Sequence, residues 1–265
     1  KVLINHGLTP QEIFFYRFLI AYTGIWVISP KRLFTGNWKD ELWLVAGGIF
    51  GGSLYFFTEN TALGITQASN VSFIICTAPL LTTILSLLFY KSEKASKGLI
   101  YGSLLALMGV GLIVFNGSFV LKISPIGDLL TLLAALSWAF YSLIIKKMAG
   151  RYPTVFITRK IFFYGVLTIL PAFLLHPLQP DTAVLLQPGV LFNLLFLAVL
   201  ASLICYVLWN VVLKQLGTVR ASNYIYLNPL VTMIASSLIL DEKITLVALG
   251  GAACIVCGVY WAEKK

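Results

Sequence analysis

The chain has 265 residues, 59% hydrophobic and 11% charged, with a mean hydropathy of +0.91 and a formal charge of +9. That balance lies far from the averages of soluble domains and excludes a conventional water-soluble fold. It defines a polytopic membrane protein, in which a positive excess is first a matter of topology and calls for no nucleic-acid partner.

A run of about 18 mostly apolar residues is enough to cross a bilayer as a helix, and nine such runs follow one another. They predict α1 over residues 12–29, α2 over 41–63, α3 over 68–90, α4 over 97–116, α5 over 125–146, α6 over 155–175, α7 over 189–213, α8 over 219–240 and α9 over 244–261. A closed barrel would need alternation of apolar and polar residues, which these runs lack. The expected fold class is all-α, with nine transmembrane helices.

The chain contains two copies of one unit. Ten residues starting at Pro79 recur from Pro229, six of them identical at an offset of 150, and Ala68-Ser69-Asn70 returns as Ala221-Ser222-Asn223. Asn60 and Leu63 match Asn210 and Leu213, Gly102-x6-Gly109 matches Gly251-x6-Gly258, and Glu93-Lys94 matches Glu242-Lys243. Residues 1–116 are thus expected to form the first repeat and 117–265 the second. The second copy opens with α5, which has no counterpart before α1, so the parent protein is expected to have ten spans, this chain starting just after the first.

Charge bias assigns orientation. Thirteen Lys and Arg residues fall in connections on one side, among them Lys31, Arg32, Lys39, Lys146, Lys147 and Arg151, against three (Lys1, Lys122, Lys243) on the other. The positive-inside rule places the rich side, with the C-terminus, in the cytoplasm of a bacterial-type membrane. Five helices per unit is an odd number, so the second unit enters from the opposite side and the repeat is inverted. Inverted repeats are a common plan of secondary transporters, with the substrate site near the midplane.

On these residues the chain resembles the drug/metabolite transporter superfamily, and within it the EamA-type ten-helix carriers. The resemblance rests on Glu59-Asn60-x-Ala62-Leu63, Gln67-Ala68-Ser69-Asn70, Pro79 and Glu93 in the first half. In the second it rests on Gly127-Asp128, Ser137-Trp138-Ala139-x-Tyr141, Trp209-Asn210, Arg220-Ala221-Ser222, Asn228-Pro229 and Glu242-Lys243. It implies export or exchange of small metabolites, with α2, α3, α5, α7 and α8 lining a central cavity and α4 and α9 packing outside.

Several residues stand out against this frame. Pro79 and Pro229 fall near mid-span, where proline removes a backbone hydrogen bond and bends a helix; they are candidate hinges or fixed bends. Gly47-Gly48-x-x-Gly51-Gly52 lets another backbone approach closely, as do Ala198 and Ser202 in α7; close packing between the repeats is expected. Glu59 is the one acidic residue well inside a span, where such groups are costly unless paired or wet. Glu59 and Arg17 both lie ~6 to 8 Å below the outer boundary at 1.5 Å per residue. They are candidates for a structural ion pair, or Glu59 for the binding of a cationic group or a coupling proton. Tyr55, Glu59, Asn60, Trp138, Tyr141, Asn210, Asn223 and Tyr226 are the substrate-cavity candidates, through stacking faces and hydrogen bonds. Arg159 and Lys160, near the cytoplasmic start of α6, read as interfacial anchors, and the sequons at Asn70 and Asn116 as chance matches.

Enzyme chemistry finds little support. His6 and His176 sit in separate connections, and no nucleophile elbow or phosphate loop is present in the sequence. Cys254-x-x-Cys257 lies among small residues with no second pair or nearby His and reads as packing. No cofactor or metal is expected; the partners are a small-molecule substrate and the bilayer, with proton or exchange coupling. Two classes remain: a secondary carrier for amino-acid-like, amphipathic or cationic metabolites, and an intramembrane enzyme or lipid-handling protein on a helical scaffold.

Overall fold

A computed structural model describes residues 2–30, 34–66, 68–90, 96–115, 124–175, 177–178, 182–240 and 244–264. Gln67, Glu93-Lys94, Asn116, His176 and Glu242-Lys243, which entered the sequence reading, lie outside the described residues. The described structure is all-helical, and helix covers most of the described part of each of the nine predicted segments. Among the described residues, six helical stretches are long and apolar enough to cross a membrane: Ser69–Phe89, Lys97–Phe115, Pro125–Ala149, Thr154–Leu174, Pro188–Leu216 and Leu246–Glu263. α1 falls short of that measure because Gln11, Glu12 and Arg17 dilute its first half.

Local chemistry sets the helix ends. α1 (Pro10–Ile28) begins with a reciprocal cap in which Glu12 N donates to Thr9 Oγ1 and Thr9 N donates to Glu12 Oε2, with Pro10 in the first turn, satisfying donors that have no partner inside the helix. α2 starts at Trp38 behind Asn37, whose side chain accepts from Lys39 N. It continues as Trp38–Gly48, a wide π-type segment Ile49–Ser53, and Leu54–Ile65. α7 has the same construction at the repeated position: Pro188–Leu195, a π-type segment Phe196–Ile204, then Cys205–Leu216. Such segments carry i→i+5 bonding and are frequent at functional sites.

α3 and α8 are broken. α3 runs Ala68–Ile75, is interrupted at Cys76 and Thr77, and resumes as Ala78–Phe89. α8 runs Thr218–Asn223, passes through a tight 3-10 turn at Tyr224–Leu227, and resumes as Asn228–Leu240. Pro79 and Pro229 are each the second residue of the resumed helix. In the first turn the missing N–H costs no intrahelical bond, so the expected mid-helix bend is realised as a break followed by a new helix start. The remaining helices are α4 (Lys97–Phe115), α5 (Pro125–Ala149), α6 (Thr154–Ile169) and α9 (Leu246–Glu263), the last capped by Thr245.

The helices form two compact units, 1–60 with 140–215 and 61–139 with 216–265. Each unit draws helices from both halves of the sequence. The first holds α1, most of α2, the end of α5, α6 and α7. Its small residues make the close contacts expected of them, with specific partners: a Cβ on Gly48 would lie 2.9 Å from Gly165 N on α6, and one on Gly52 3.4 Å from Gly165 Cα. The glycine face of α2 therefore packs on α6, while Ser202 of α7 meets Arg17 of α1.

The second unit holds the end of α2, α3, α4, the start of α5, α8 and α9. Its seam is the antiparallel crossing of α4 and α9. A Cβ on Gly109 would lie 2.5 Å from Gly251 O, and one on Gly258 2.5 Å from Gly102 O. No side chain fits there, and small residues at such crossings let backbones touch where lipid offers no hydrophobic drive. Cys76, Ala106, Val110, Tyr226, Ile255 and Val259 close the core beside it. Leu88 (70% exposed) and Met108 (67%) face outward, as a bilayer solvent requires.

Candidate functional site

The first unit encloses a polar network amid aromatic rings. Tyr141 OH donates to Asn210 Oδ1 at 2.7 Å, and Asn210 Nδ2 donates to Thr158 Oγ1 at 2.9 Å; all three residues are buried. Tyr206 OH donates to Gly51 O at 2.5 Å. That carbonyl belongs to the π-type segment of α2, and Tyr206 opens the turn after the matching segment of α7. Ser53 and Thr168 hydroxyls meet at 2.8 Å. In a low-dielectric interior an unpaired polar group costs several kcal/mol at the upper end, and pairing removes that cost.

Arg17 and Glu59 belong to the same unit and are half-buried. They do not form a direct ion pair. Arg17 Nε donates to Ser202 Oγ at 2.9 Å and its guanidinium lies 4.4 Å from the centre of the Phe56 ring; Tyr55 OH donates to Glu59 Oε1 at 3.1 Å. Each charge thus has a neutral hydroxyl as its hydrogen-bond partner. An aromatic wall adjoins them, with Phe14, Phe18 and Phe56 in mutual contact and Phe18 edge-on to Tyr206. Asn60 is half-buried one residue beyond Glu59.

In the second unit Asn223 and Tyr226 are fully buried, Asn223 at the end of the first stretch of α8 and Tyr226 within the 3-10 turn that follows. Ser103 Oγ of α4 donates to Asn223 Oδ1 at 3.5 Å, the long end of hydrogen bonding. Trp138 is half-buried, and Pro79 and Pro229 are buried. The structure therefore gathers Tyr55, Glu59, Asn60, Tyr141 and Asn210 into one unit and Trp138, Asn223 and Tyr226 into the other.

The anchor role expected of Arg159 and Lys160 is corrected. Both are 0% exposed. Lys160 Nζ forms an ion pair with Glu41 and donates to Tyr164 OH at 3.1 Å, Tyr164 OH in turn donates to Glu41, and Glu41 Oε2 accepts from Thr35 N and Thr35 Oγ1. Arg159 Nη1 donates to Ser29 O at the end of α1. Alongside, Asp40 accepts from Arg151 Nη1 at 2.5 Å and from Tyr152 OH at 2.9 Å. Desolvation, then the bond to Asp40 and its charge, push the Tyr152 phenol above its ordinary range. Ser29 and Phe34, from either end of the connection between α1 and α2, and Glu41 of α2 lie against the two cations at the start of α6.

Sequence reasoning missed Tyr206, Thr158, Asp40, Glu41 and Tyr164. The spacing of Tyr206 and Asn210, four apart and so on one face of α7, was an available signal. Nothing local marks the rest.

Hydrogen-bonded polar clusters and broken helices in the interior of a membrane protein are features common among transporters. The chain is a member of the EamA-like transporter family, whose model matches residues 1–115 and 125–262. It is 29% identical over 262 residues to an "Uncharacterized transporter" of Archaeoglobus fulgidus, covering 97% of this chain and 89% of that one. It is 24% identical to a "Probable amino-acid metabolite efflux pump" of Escherichia coli, covering 96% and 86%, and 27% identical to one of the same name from Salmonella typhimurium, again covering 96% and 86%. A solved crystal structure shares the fold, with a TM-score of 0.79 at 17% identity over 99% of this chain and 90% of that one. The family and these relatives are transporters, not enzymes.

Proposed function

We propose that the protein exports small zwitterionic or cationic metabolites, amino acids among them, across the cytoplasmic membrane by alternating access, driven by proton or solute exchange. The lack of a direct ion pair between Arg17 and Glu59, each bonded to a neutral hydroxyl instead, carries this reading. Two opposite charges inside one unit, each held by a neutral hydroxyl, suit a ligand that brings a carboxylate to the guanidinium and an ammonium to the carboxylate. The rings of Phe14, Phe18 and Phe56 suit an apolar side chain. The names of the enterobacterial relatives support an amino-acid-like cargo, and the breaks at Pro79 and Pro229 suit a hinge role in each repeat.

The test is export of a labelled amino-acid panel from proteoliposomes containing wild-type protein, Arg17→Gln or Glu59→Gln. Each variant is expected to lower transport of the zwitterionic cargo about tenfold, the effect of losing one charge-assisted contact. Unchanged transport in both would overturn the reading.

A further inference from the structure

The second unit has a cavity of about 270 Å³ where the end of α3, the starts of α4 and α8 and the end of α9 converge. Four apolar helices end or begin there, at Phe89, Lys97, Thr218 and Glu263, which puts the cavity at the depth of lipid headgroups rather than hydrocarbon. Its hydroxyls are already engaged. Thr83 Oγ1 donates to Pro79 O, Ser96 Oγ accepts from Leu99 N, and Thr218 is hydrogen-bonded to Ser86. What remains in the lining is charge of both signs: Arg220 and Lys264, both exposed, and Glu263. Glu263 Oε1 is enclosed and accepts no hydrogen bond. Neither basic residue forms a salt bridge with it, though all three line one cavity.

The geometry points to a binding site for the headgroup of phosphatidylethanolamine, with its phosphate on Arg220 and Lys264 and its primary ammonium on Glu263. A lipid with a phosphate alone leaves Glu263 unanswered. A choline head brings the positive charge without N–H donors, so it cannot hydrogen-bond the enclosed oxygen. Exposed apolar residues adjacent in sequence to lining residues Leu87 and Ala262, namely Leu88 (70% exposed), Phe89 (65%) and Trp261 (52%), offer contacts to the acyl chains of such a lipid. This site is independent of the charges proposed to bind cargo.

The experiment is native mass spectrometry of the full chain from nanodiscs of equal phosphatidylethanolamine, phosphatidylglycerol and phosphatidylcholine. Wild-type protein is expected to retain one phosphatidylethanolamine, about tenfold over either competitor. Arg220→Gln should lower retention of every phospholipid. Glu263→Gln should remove the preference for ethanolamine while keeping phosphate-dependent retention, a split that misfolding would not produce. O-phosphoethanolamine in solution should fail to displace the lipid. Equal retention of the three lipids, a preference for phosphatidylglycerol, or full displacement by the free head would overturn the assignment.

Discussion

Tyr206 donates its phenolic hydrogen to the backbone carbonyl of Gly51 at 2.5 Å, joining the π-type segment of α2 to the turn that follows the matching segment of α7. Both partners are buried, so Tyr206→Phe should leave that carbonyl unsatisfied at a cost of about 1–3 kcal/mol. Thermal unfolding in detergent should show the loss. Gly51→Ala should act on the same region from the other side, because its methyl group would run into the Tyr141 ring and disturb the Tyr141–Asn210 bond. Unfolding curves superimposable on wild type in both variants would dismiss the structural importance of this junction.

Glu59 separates coupling from cargo binding. If it carries a proton, Glu59→Gln should abolish transport driven by a pH gradient while leaving exchange of labelled for unlabelled cargo intact. If it only binds the ammonium of the cargo, both modes should fall together by about tenfold. Paired uptake assays in proteoliposomes, with and without an imposed gradient, distinguish the two.

Burial of Lys160 against Glu41 makes a sharp energetic prediction. Removing one partner of a buried pair leaves an uncompensated charge, which costs about 3–5 kcal/mol, whereas replacing both is far less harmful. Glu41→Gln should therefore destabilise strongly, and adding Lys160→Met should restore much of the loss. A double-mutant cycle on melting temperature measures this; additive effects would mean that the pair contributes nothing as a unit.

Pro79 occupies a helix start, where alanine could donate its N–H without disturbing a bond already made. Pro79→Ala should change stability by less than about 1 kcal/mol. If the break acts as a hinge, the same variant should slow cargo exchange while sparing cargo affinity. A measurement of exchange rate beside equilibrium binding tests this, and an unchanged rate would leave the break a fixed bend.

Much of the architecture was legible because lipid imposes a simple rule: long apolar runs become helices, and the duplicated motifs mark equivalent places in them. The repeat also located both breaks, through Pro79 and Pro229, though a proline alone does not say whether a helix bends or restarts. The π-type segments were not legible, since no local residue pattern marks i→i+5 bonding. Arg159 and Lys160 were misread for a related reason. Cations one turn into a span normally reach out to the interface, and only the fold brings them Ser29 at the end of α1 and Glu41 in the first turn of α2. Likewise, no pattern in α1 announces Ser202 as the acceptor for Arg17, because the two are brought together by packing alone.

At the crossing of α4 and α9, Gly102 faces Gly258 and Gly109 faces Gly251, so each glycine meets the counterpart of its neighbour and not its own. The contact is self-complementary, as across a twofold axis. Its two sides are therefore interchangeable: exchanging the seam residues of one helix for those of the other rebuilds the same surface. A side chain added to either helix at these positions is felt at a backbone carbonyl of the other, which ties the freedom of the two helices to vary into a single shared constraint.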